Sequence, residues 1–491
     1  MTDQNPPADV LSAAQRKAVR QLLRIAPVVD ELGARFAAAG HEFALVGGSV
    51  RDALLDRLDE DLDFTTSARP AESKRLLSGW ADNVWDVGQA FGTIGGHKDG
   101  FQIEITTYRT DSYDRTSRKP EVAYGDSITD DLVRRDFTVN AMAVMLPSHE
   151  FIDPHGGLVD LGRKAIRTPG TPEQSFSDDP LRMIRAARFA SQLGFDVAPE
   201  VVTAMRDMAD RIDIVSAERV RDELTKLLLS PVPRTGLTLL VDTGIAERIL
   251  PELPALRLEI DEHHRHKDVY RHSLTVLEQA CALETDEDGS VPGPDFVLRF
   301  AALLHDIGKP ATRKFGPGNA VSFRHHDAVG AKLTARRMRA LRFDNDTIKA
   351  VSRLVELHMR FYGYGEAGWT DSAVRRYVTD AGPLLERLHR LVRSDVTTRN
   401  RRQVERLAFA YDDLEARISA LAEQEELAMI RPDLDGAQIM ALLGITPGPV
   451  VGRAYRYLLE ERMEHGPLDP ATAEARLRSW WSHQPESKEI L

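Results

Sequence analysis

The chain has 491 residues, 42% of them hydrophobic and 29% charged, with a formal net charge of −12. That length exceeds one comfortable core and predicts three or more domains, while the absence of any run of eighteen apolar residues argues against a membrane span or a membrane partner. The single cysteine, Cys281, excludes an internal disulfide and predicts a cytoplasmic address. The acidic balance speaks against a simple basic nucleic-acid binder. Arginines nevertheless cluster at Arg134 and Arg135, at Arg182, Arg185 and Arg188, and from Arg387 to Arg406, so local patches for a polyanion remain.

In chain order, MTDQNPPADVLSAAQRK has no apolar signal-like core and reads as a tail before a helix, giving an N-terminal helical extension over 1–35. Over 36–168 short alternating runs (FALVGG, DLDFTT, QIEITTY, FTVNAMAV) are punctuated by glycine and predict a mixed α/β head. Over 169–258 the texture becomes helical, as in DPLRMIRAARFASQLGF and SAERVRDELTKLLLS. Helical spacing continues over 259–408, interrupted near Glu284 by the loop-like TDEDGSVPGPD, and a helical tail follows over 409–491. No fixed-period repeat is present.

The stretch ALVGGSVRDALLDRLDEDLDFTTS carries the first chemistry. Residues i and i+2 of a strand share a face, so Asp61 and Asp63 converge while Leu62 and Phe64 pack behind them. Two carboxylates so placed repel unless a cation lies between them, and Mg²⁺ suits carboxylate and phosphate oxygens. Glu104 in QIEITTY is a third candidate if its strand neighbours DLDF; three carboxylates then hold two Mg²⁺, one for the attacking hydroxyl and one for a triphosphate. Gly47 and Gly48 allow a tight turn and a following helix whose first turn holds Arg51 and Asp52. Taken alone, the glycines are equally a plain turn and the aspartates equally a surface loop; the joint pattern favours metal-dependent nucleotidyl transfer.

LVGGSVRD followed by DLDFTT, LVRRDFTVNAMA and DPLRMIRAARF resembles the bacterial class II tRNA nucleotidyltransferase and poly(A) polymerase family, over roughly residues 43 to 225. The resemblance implies an α+β fold, with a polymerase-β-like nucleotidyltransferase head at 36–168, a nucleotide-recognition neck at 169–258 and an all-helical body. It implies template-independent addition of CCA to tRNA 3′ ends from CTP and ATP, with tRNA bound through its acceptor stem and 3′ end. Metal falls on Asp61 and Asp63, with Glu104 as third ligand or activator. The RRDFTVNA motif, with Arg134, Arg135, Asp136, Phe137 and Asn140, is associated with the sugar and triphosphate pocket, and Gly48, Arg51, Arg185 and Arg188 are assigned more generally to nucleotide binding. Asp153 with Gly156 or Gly157 matches a loop-associated aspartate-glycine element. A Glu-Asp-x-x-Arg motif reads Asp178, Asp179, Pro180, Leu181, Arg182 here, which departs at its first acid, and Glu218, Arg219 and Glu223 match a helical motif that supports it. Asp179 and Arg182, three apart on an expected helix, offer an acceptor and a donor to the amine and ring nitrogen that cytosine and adenine share; uracil and guanine reverse that pattern. Without the upstream motifs they read as an ordinary surface ion pair.

A second constellation comprises His272, His305 and Asp306, His326, His358 and Asp395. Adjacent His and Asp after an apolar helix ligate a metal when other histidines complete the shell. The order H…HD…D resembles the HD phosphohydrolase superfamily and places an HD domain at 259–408, with His326 and His358 extending the set toward a second metal and allowing a second divalent metal type. Lys309 reads as a phosphate contact or as part of a helix terminus, and HHRH at 263–266 as a polar loop. In related enzymes such modules act on cyclic and terminal phosphates. Alternative readings are a poly(A) polymerase, a partial CC- or A-adding enzyme, or an HD-type phosphohydrolase acting on RNA ends or nucleotides.

Overall fold

The computed structural model describes residues 27–57, 59–86, 92–112, 121–125, 127–257, 268–317, 321–364, 369–398, 400–425 and 431–488. The run HHRH and most of the N-terminal extension lie outside them. The chain divides into two compact units, Met1–Pro251 and Glu252–Leu491.

In the first unit, helix α1 spans 27–38 and so continues past the expected boundary at 35. Val28, Val29, Leu32 and Phe36 bury one face of it. Phe36 stacks on Phe43 at 4.3 Å and Phe43 on Phe64 at 4.8 Å, tying this helix to the sheet. The chain then runs through β1 (Phe43–Val46), α2 (Gly48–Leu54), β2 (Asp61–Thr66), α3 (Pro70–Leu77), β3 (Asn83–Trp85), β4 (Thr93–Lys98), β5 (Phe101–Thr107), β6 (Arg109–Ser112), β7 (Glu121–Tyr124), α4 (Ile128–Val133), β8 (Ala143–Met145) and β9 (Phe151–Ile152). Seven strands form one mixed sheet in the order β3-β4-β5-β2-β1-β8-β9, and β6 pairs with β7 separately. Within the large sheet β2 and β5 are parallel, whereas β1 pairs antiparallel with both β2 and β8.

Helices follow: α5 (Gly157–Arg163), α6 (Pro172–Asp178), α7 (Leu181–Leu193), α8 (Pro199–Asp207) and α9 (Ala217–Leu228). Helix α7 buries Met183, Ile184, Ala186, Ala187 and Ala190. It packs closely on the helix Pro233–Asp242, where Gly236 donates its N–H to Ser191 Oγ at 2.8 Å. A side chain there would place Cβ 2.4 Å from the Ala187 carbonyl.

Among its described residues the second unit is mainly helical, with a two-residue strand pair, Lys314–Phe315 with Val321–Ser322. Its core gathers Leu298, Phe300, Leu303, Val351, Leu354 and Leu388. The helix Arg401–Glu425 runs through the expected boundary at 408, so that position is not a break in the chain's local structure. Near the C-terminus three helices enclose a core of Ile439, Leu443, Leu458 and Leu477. Among the described residues no helix is long and apolar enough to cross a membrane.

The substitution Gly236→Ala is expected to destabilise the first unit by about 2 kcal/mol, because the backbone carbonyl of Ala187 has to give way. Thermal and denaturant unfolding of the variant beside the wild type measures this.

Candidate active site

Strand register assembles the first set of groups. In the β2–β5 pairing Asp61 lies opposite Gln102 and Asp63 opposite Glu104. Leu62, Phe64, Ile103 and Ile105 point into the core, which turns Asp61, Asp63 and Glu104 to the opposite, open face. The Ser49 hydroxyl tacks the strand to α2: it accepts from the Asp63 N–H at 2.9 Å and donates to the Asp61 carbonyl at 3.3 Å. Gly47 adopts φ 68°, and a Cβ there would sit 2.9 Å from Arg135 Nη1 and 3.9 Å from Asp63 Oδ2. Only a bare backbone fits between the two.

Desolvation raises the pKa of Asp63; Glu104 and Asp61 add to the rise, and Arg135 and Arg51 oppose it. A set of hard oxygens that repel one another suits a divalent cation such as Mg²⁺, which would relieve that repulsion. These carboxylates do not belong to the groups whose ligand atoms all lie within 4.8 Å of one another among the described residues. They share a face without that degree of closure.

The arginines assigned to the nucleotide are found in ion pairs. Arg51 donates to both Asp52 oxygens at 3.0 and 2.6 Å and to Asn140 Oδ1 at 2.5 Å. Asn140 in turn donates to Asp136 Oδ1 at 3.0 Å. Arg185 reaches Asp136 Oδ2 at 2.9 and 2.5 Å and Glu223 at 3.3 Å, and Arg188 pairs with Glu223 at 2.9 Å. All three guanidiniums lie over the Phe189 ring, at 5.2, 5.5 and 4.2 Å. Burial works against the Asp136 carboxylate, yet Arg185, Asn140 and Arg182 hold its pKa well below the ordinary range. Burial pulls Arg188 down to about 10 despite Glu223. Gly48, the remaining member of that set, opens α2.

A second knot lies beside it. Arg134 donates to Asp131 Oδ1 at 3.2 and 3.1 Å, and Arg135 donates to Asp131 Oδ2 at 3.1 Å. Asp131 is fully buried; burial opposes its charge, but Arg135 and Arg134 lower its pKa. Arg182 donates to the Arg134 carbonyl at 2.5 Å and to Ser175 Oγ at 2.9 Å. Asp179 accepts from the Leu181 N–H at 3.1 Å and from Arg219 at 2.7 Å.

The expectation that Asp179 and Arg182 share one helix is corrected. Asp179 ends α6 in an extended conformation (φ −145°, ψ 101°), and α7 begins after Pro180. A residue before proline is forced out of the α region, so the motif is a corner between two helices. Asp153 accepts from the Gly157 and Leu158 N–H groups at 2.7 and 2.9 Å, capping α5. Sequence reasoning missed Asp131 and Ser49; the i,i+3 and i,i+4 spacing of Asp131 to the paired arginines was the available signal.

In the second unit all six expected ligands converge. His272, His305 and Asp395 form one group and Asp306, His326 and His358 another, each with ligand atoms within 4.8 Å. Asp306 faces both: Oδ2 lies 3.3 Å from His305 Nε2 and 3.6 Å from His272 Nε2, and Oδ1 lies 3.3 Å from His326 Nε2 and 4.0 Å from His358 Nε2. His272 Nε2 is 2.9 Å from Asp395. The outer nitrogens of His305, His326 and His358 meet backbone carbonyls of Ala302, Phe323 and Val355 at 2.8, 2.9 and 2.6 Å. A carbonyl only accepts, so those nitrogens carry the protons and Nε2 presents a lone pair inward.

His326 and His358 Nε2 are nonetheless 3.3 Å apart. Two lone pairs at that distance require a cation, which is the arrangement that metal ligands adopt. Burial, followed by His305, lowers His358 to about 4, leaving it neutral and able to ligate at pH 7. Burial opposes the charged form of His305, and Asp306 and Asp395 raise it. A cavity of about 950 Å³ opens on the group, lined by Lys309, Arg313, Arg324, Arg406, Tyr362 and Tyr411 among others. Lys309 Nζ lies 2.5 Å from Asp306 Oδ2.

Three family models match: the Poly A polymerase head domain over 43–167, the probable RNA and SrmB-binding site of polymerase A over 194–256, and the HD domain over 269–426. The chain is 34% identical to an A-adding tRNA nucleotidyltransferase of Deinococcus radiodurans over 451 residues, covering 90% of this chain and 96% of that one. It is 39% identical to a CCA-adding enzyme of Streptococcus gordonii, over 48% of this chain and 57% of the relative. The fold matches the Bacillus stearothermophilus CCA-adding enzyme in complex with CTP (TM-score 0.65, 24% identity, 92% and 96% of the two chains). It also matches the Thermotoga maritima CCA-adding enzyme complexed with tRNA (TM-score 0.60, 18% identity, 94% and 98%). The chain therefore belongs to the bacterial class II tRNA nucleotidyltransferase and poly(A) polymerase family, in its HD-domain-bearing form.

Two predictions follow from the charged groups. Because the folded-state pKa of Asp136 is depressed, its stabilisation is complete above the ordinary value of 3.8 and is lost as pH falls toward the lower folded value. Asp136→Asn, which turns an amide toward Arg185, is expected to cost about 3 kcal/mol at pH 7 and less below pH 4; unfolding curves at both pH values test this. In the second unit, His326→Ala with His358→Ala is expected to lower bound transition metal without abolishing it, while Asp306→Ala removes both sites. Elemental analysis of purified protein distinguishes these outcomes.

Proposed function

We propose that this protein adds CCA to tRNA 3′ ends from CTP and ATP without a template, releasing pyrophosphate. The observation that carries the reading is the β2–β5 register, which sets Asp61, Asp63 and Glu104 on one face beside the Gly47 turn and Arg135. In this reading residues 36–168 hold the reaction, 169–258 read the base, 259–408 form the HD domain and 409–491, with the arginine-rich helices before them, add RNA-binding surface. RNA duplex would be recognised by shape and backbone.

Bound Mg²⁺ would lower the pKa of the attacking 3′-hydroxyl and neutralise charge on the departing pyrophosphate. Asp61 and Asp63 would hold it, with Glu104 as third donor, and Arg134 and Arg135 would face the triphosphate. Asp179, held by Arg219, and Arg182, held by Ser175 and the Arg134 carbonyl, are oriented before the nucleotide arrives. Their acceptor and donor suit cytosine and adenine.

The Deinococcus relative, matched over 96% of its length, favours a second reading in which only the terminal A is added. The HD cluster supports an additional metal-dependent phosphohydrolase acting on RNA ends or nucleotides, with imidazole-rich ligation favouring a transition metal over Mg²⁺.

Extension of three tRNAs, ending before C, after the first C and after CC, with each NTP and Mg²⁺, separates these readings. Stepwise C, C and A is the expected result, abolished in Asp61→Ala/Asp63→Ala. Extension of the CC-ended tRNA alone establishes A addition, and a long adenosine tail on unrelated RNA establishes a poly(A) polymerase. His305→Ala/Asp306→Ala is expected to leave extension intact and to abolish the ring-opening hydrolysis of a 2′,3′-cyclic nucleotide to its monophosphate.

A further inference from the structure

Asp131 has no role in the reaction as described so far, yet its carboxylate is the most fully enclosed of the acids around the head site. Its side chain is fully buried, and one oxygen is taken by Arg134 at 3.2 and 3.1 Å. The other accepts from Arg135 at 3.1 Å and lies 3.4 Å from the Thr65 hydroxyl, whose proton also has the Thr106 carbonyl at 3.1 Å; the Arg109 N–H lies 3.4 Å from the first. Thr65 is two residues beyond Asp63 on β2, so Asp131 is joined to the strand that carries the metal carboxylates. Arg135 reaches away from this bond on its other side: its Nη1 lies where a Gly47 side chain would be, beside Asp63. Arg135 is also the leading charged group that lowers the Asp63 pKa. The Arg134 carbonyl is the acceptor that fixes Arg182.

Arg134 and Arg135 both bond the buried Asp131 carboxylate. A guanidinium tied to a buried carboxylate is fixed in orientation, and oriented guanidiniums are what a phosphate chain needs.

We infer that Asp131 is a positioning residue: it sets Arg134 and Arg135 for the triphosphate of the incoming nucleotide and, through the Arg134 carbonyl, registers them to Arg182. This rests on the nucleotidyltransferase reading of the head. It also makes the triphosphate contacts and the base-reading corner one mechanical unit, with Asp131 as the shared support.

The test measures binding of CTP and of CMP, with Mg²⁺, to the full chain carrying Asp131→Asn and to the wild type. In the variant the preference for CTP over CMP is expected to fall about tenfold or more, with the preference for C and A over U and G reduced less. Equal weakening of CTP and CMP, or an unchanged ratio, overturns the inference, since a merely structural role would move both alike. If Asp131→Asn does not fold, Thr65→Val and Arg135→Gln carry the same test. Thr65→Val is expected to lower the CTP/CMP ratio by a few-fold and Arg135→Gln by at least tenfold; unchanged ratios in both overturn it. A wild type that does not prefer CTP over CMP rejects the nucleotidyltransferase reading itself, which is a separate failure.

Discussion

The parallel pairing of β2 with β5 is the constraint on which the head depends. A slip of one residue exchanges the faces of a strand, so moving β2 by one place would bury Asp61 and Asp63 and expose Leu62 and Phe64. Several contacts hold the register. Phe64 stacks into the aromatic column with Phe43 and Phe36, and Ser49 binds the β2 backbone at both Asp61 and Asp63. The hydrophobic face therefore fixes the carboxylate face, with α2 as a second fastening. The energy that places the carboxylates comes from the apolar residues between them.

Charge pairing then decides which cations are structural. Burying a guanidinium without a partner is costly, and Arg51, Arg185 and Arg188 meet that demand with Asp52, Asp136 and Glu223. Phe189 forms the apolar floor under all three. This network ties α2, the turn Thr138–Asn140, α7 and α9 together. The sequence assigns these arginines to nucleotide binding without showing the acids they pair with. Glu223 lies 38 residues from Arg185, and the motif that singles it out does not show that it answers two arginines.

What was legible in the sequence was what depends on local period or on a rare residue type. DLDF shows its two faces by alternation, and six His and Asp residues in order announce a metal cluster whatever the fold between them. The corner at Asp179 was not legible as a helix face because Pro180 breaks the helix at that point, and the local rule about proline outweighs the spacing rule. Asp131 was hidden for the opposite reason. It follows Ser127, which caps α4, and an acid in the first turn of a capped helix needs no other explanation. Only its complete burial between two arginines separates it from such an ordinary acid.

The two units present opposite donor chemistry within one chain. The head offers carboxylate oxygens on an open strand face, a soft geometric demand that suits a hydrated Mg²⁺ shared with substrate phosphates. The HD cluster offers four imidazoles, three of them fixed by backbone carbonyls, around a carboxylate that faces both halves. Fixing the outer nitrogen of a histidine determines its tautomer and aims its lone pair before any metal arrives, so that site is organised by the fold rather than by its ligand. The donor sets of the two units therefore differ in kind, and they, not the overall charge of −12, set which class of ion each site suits.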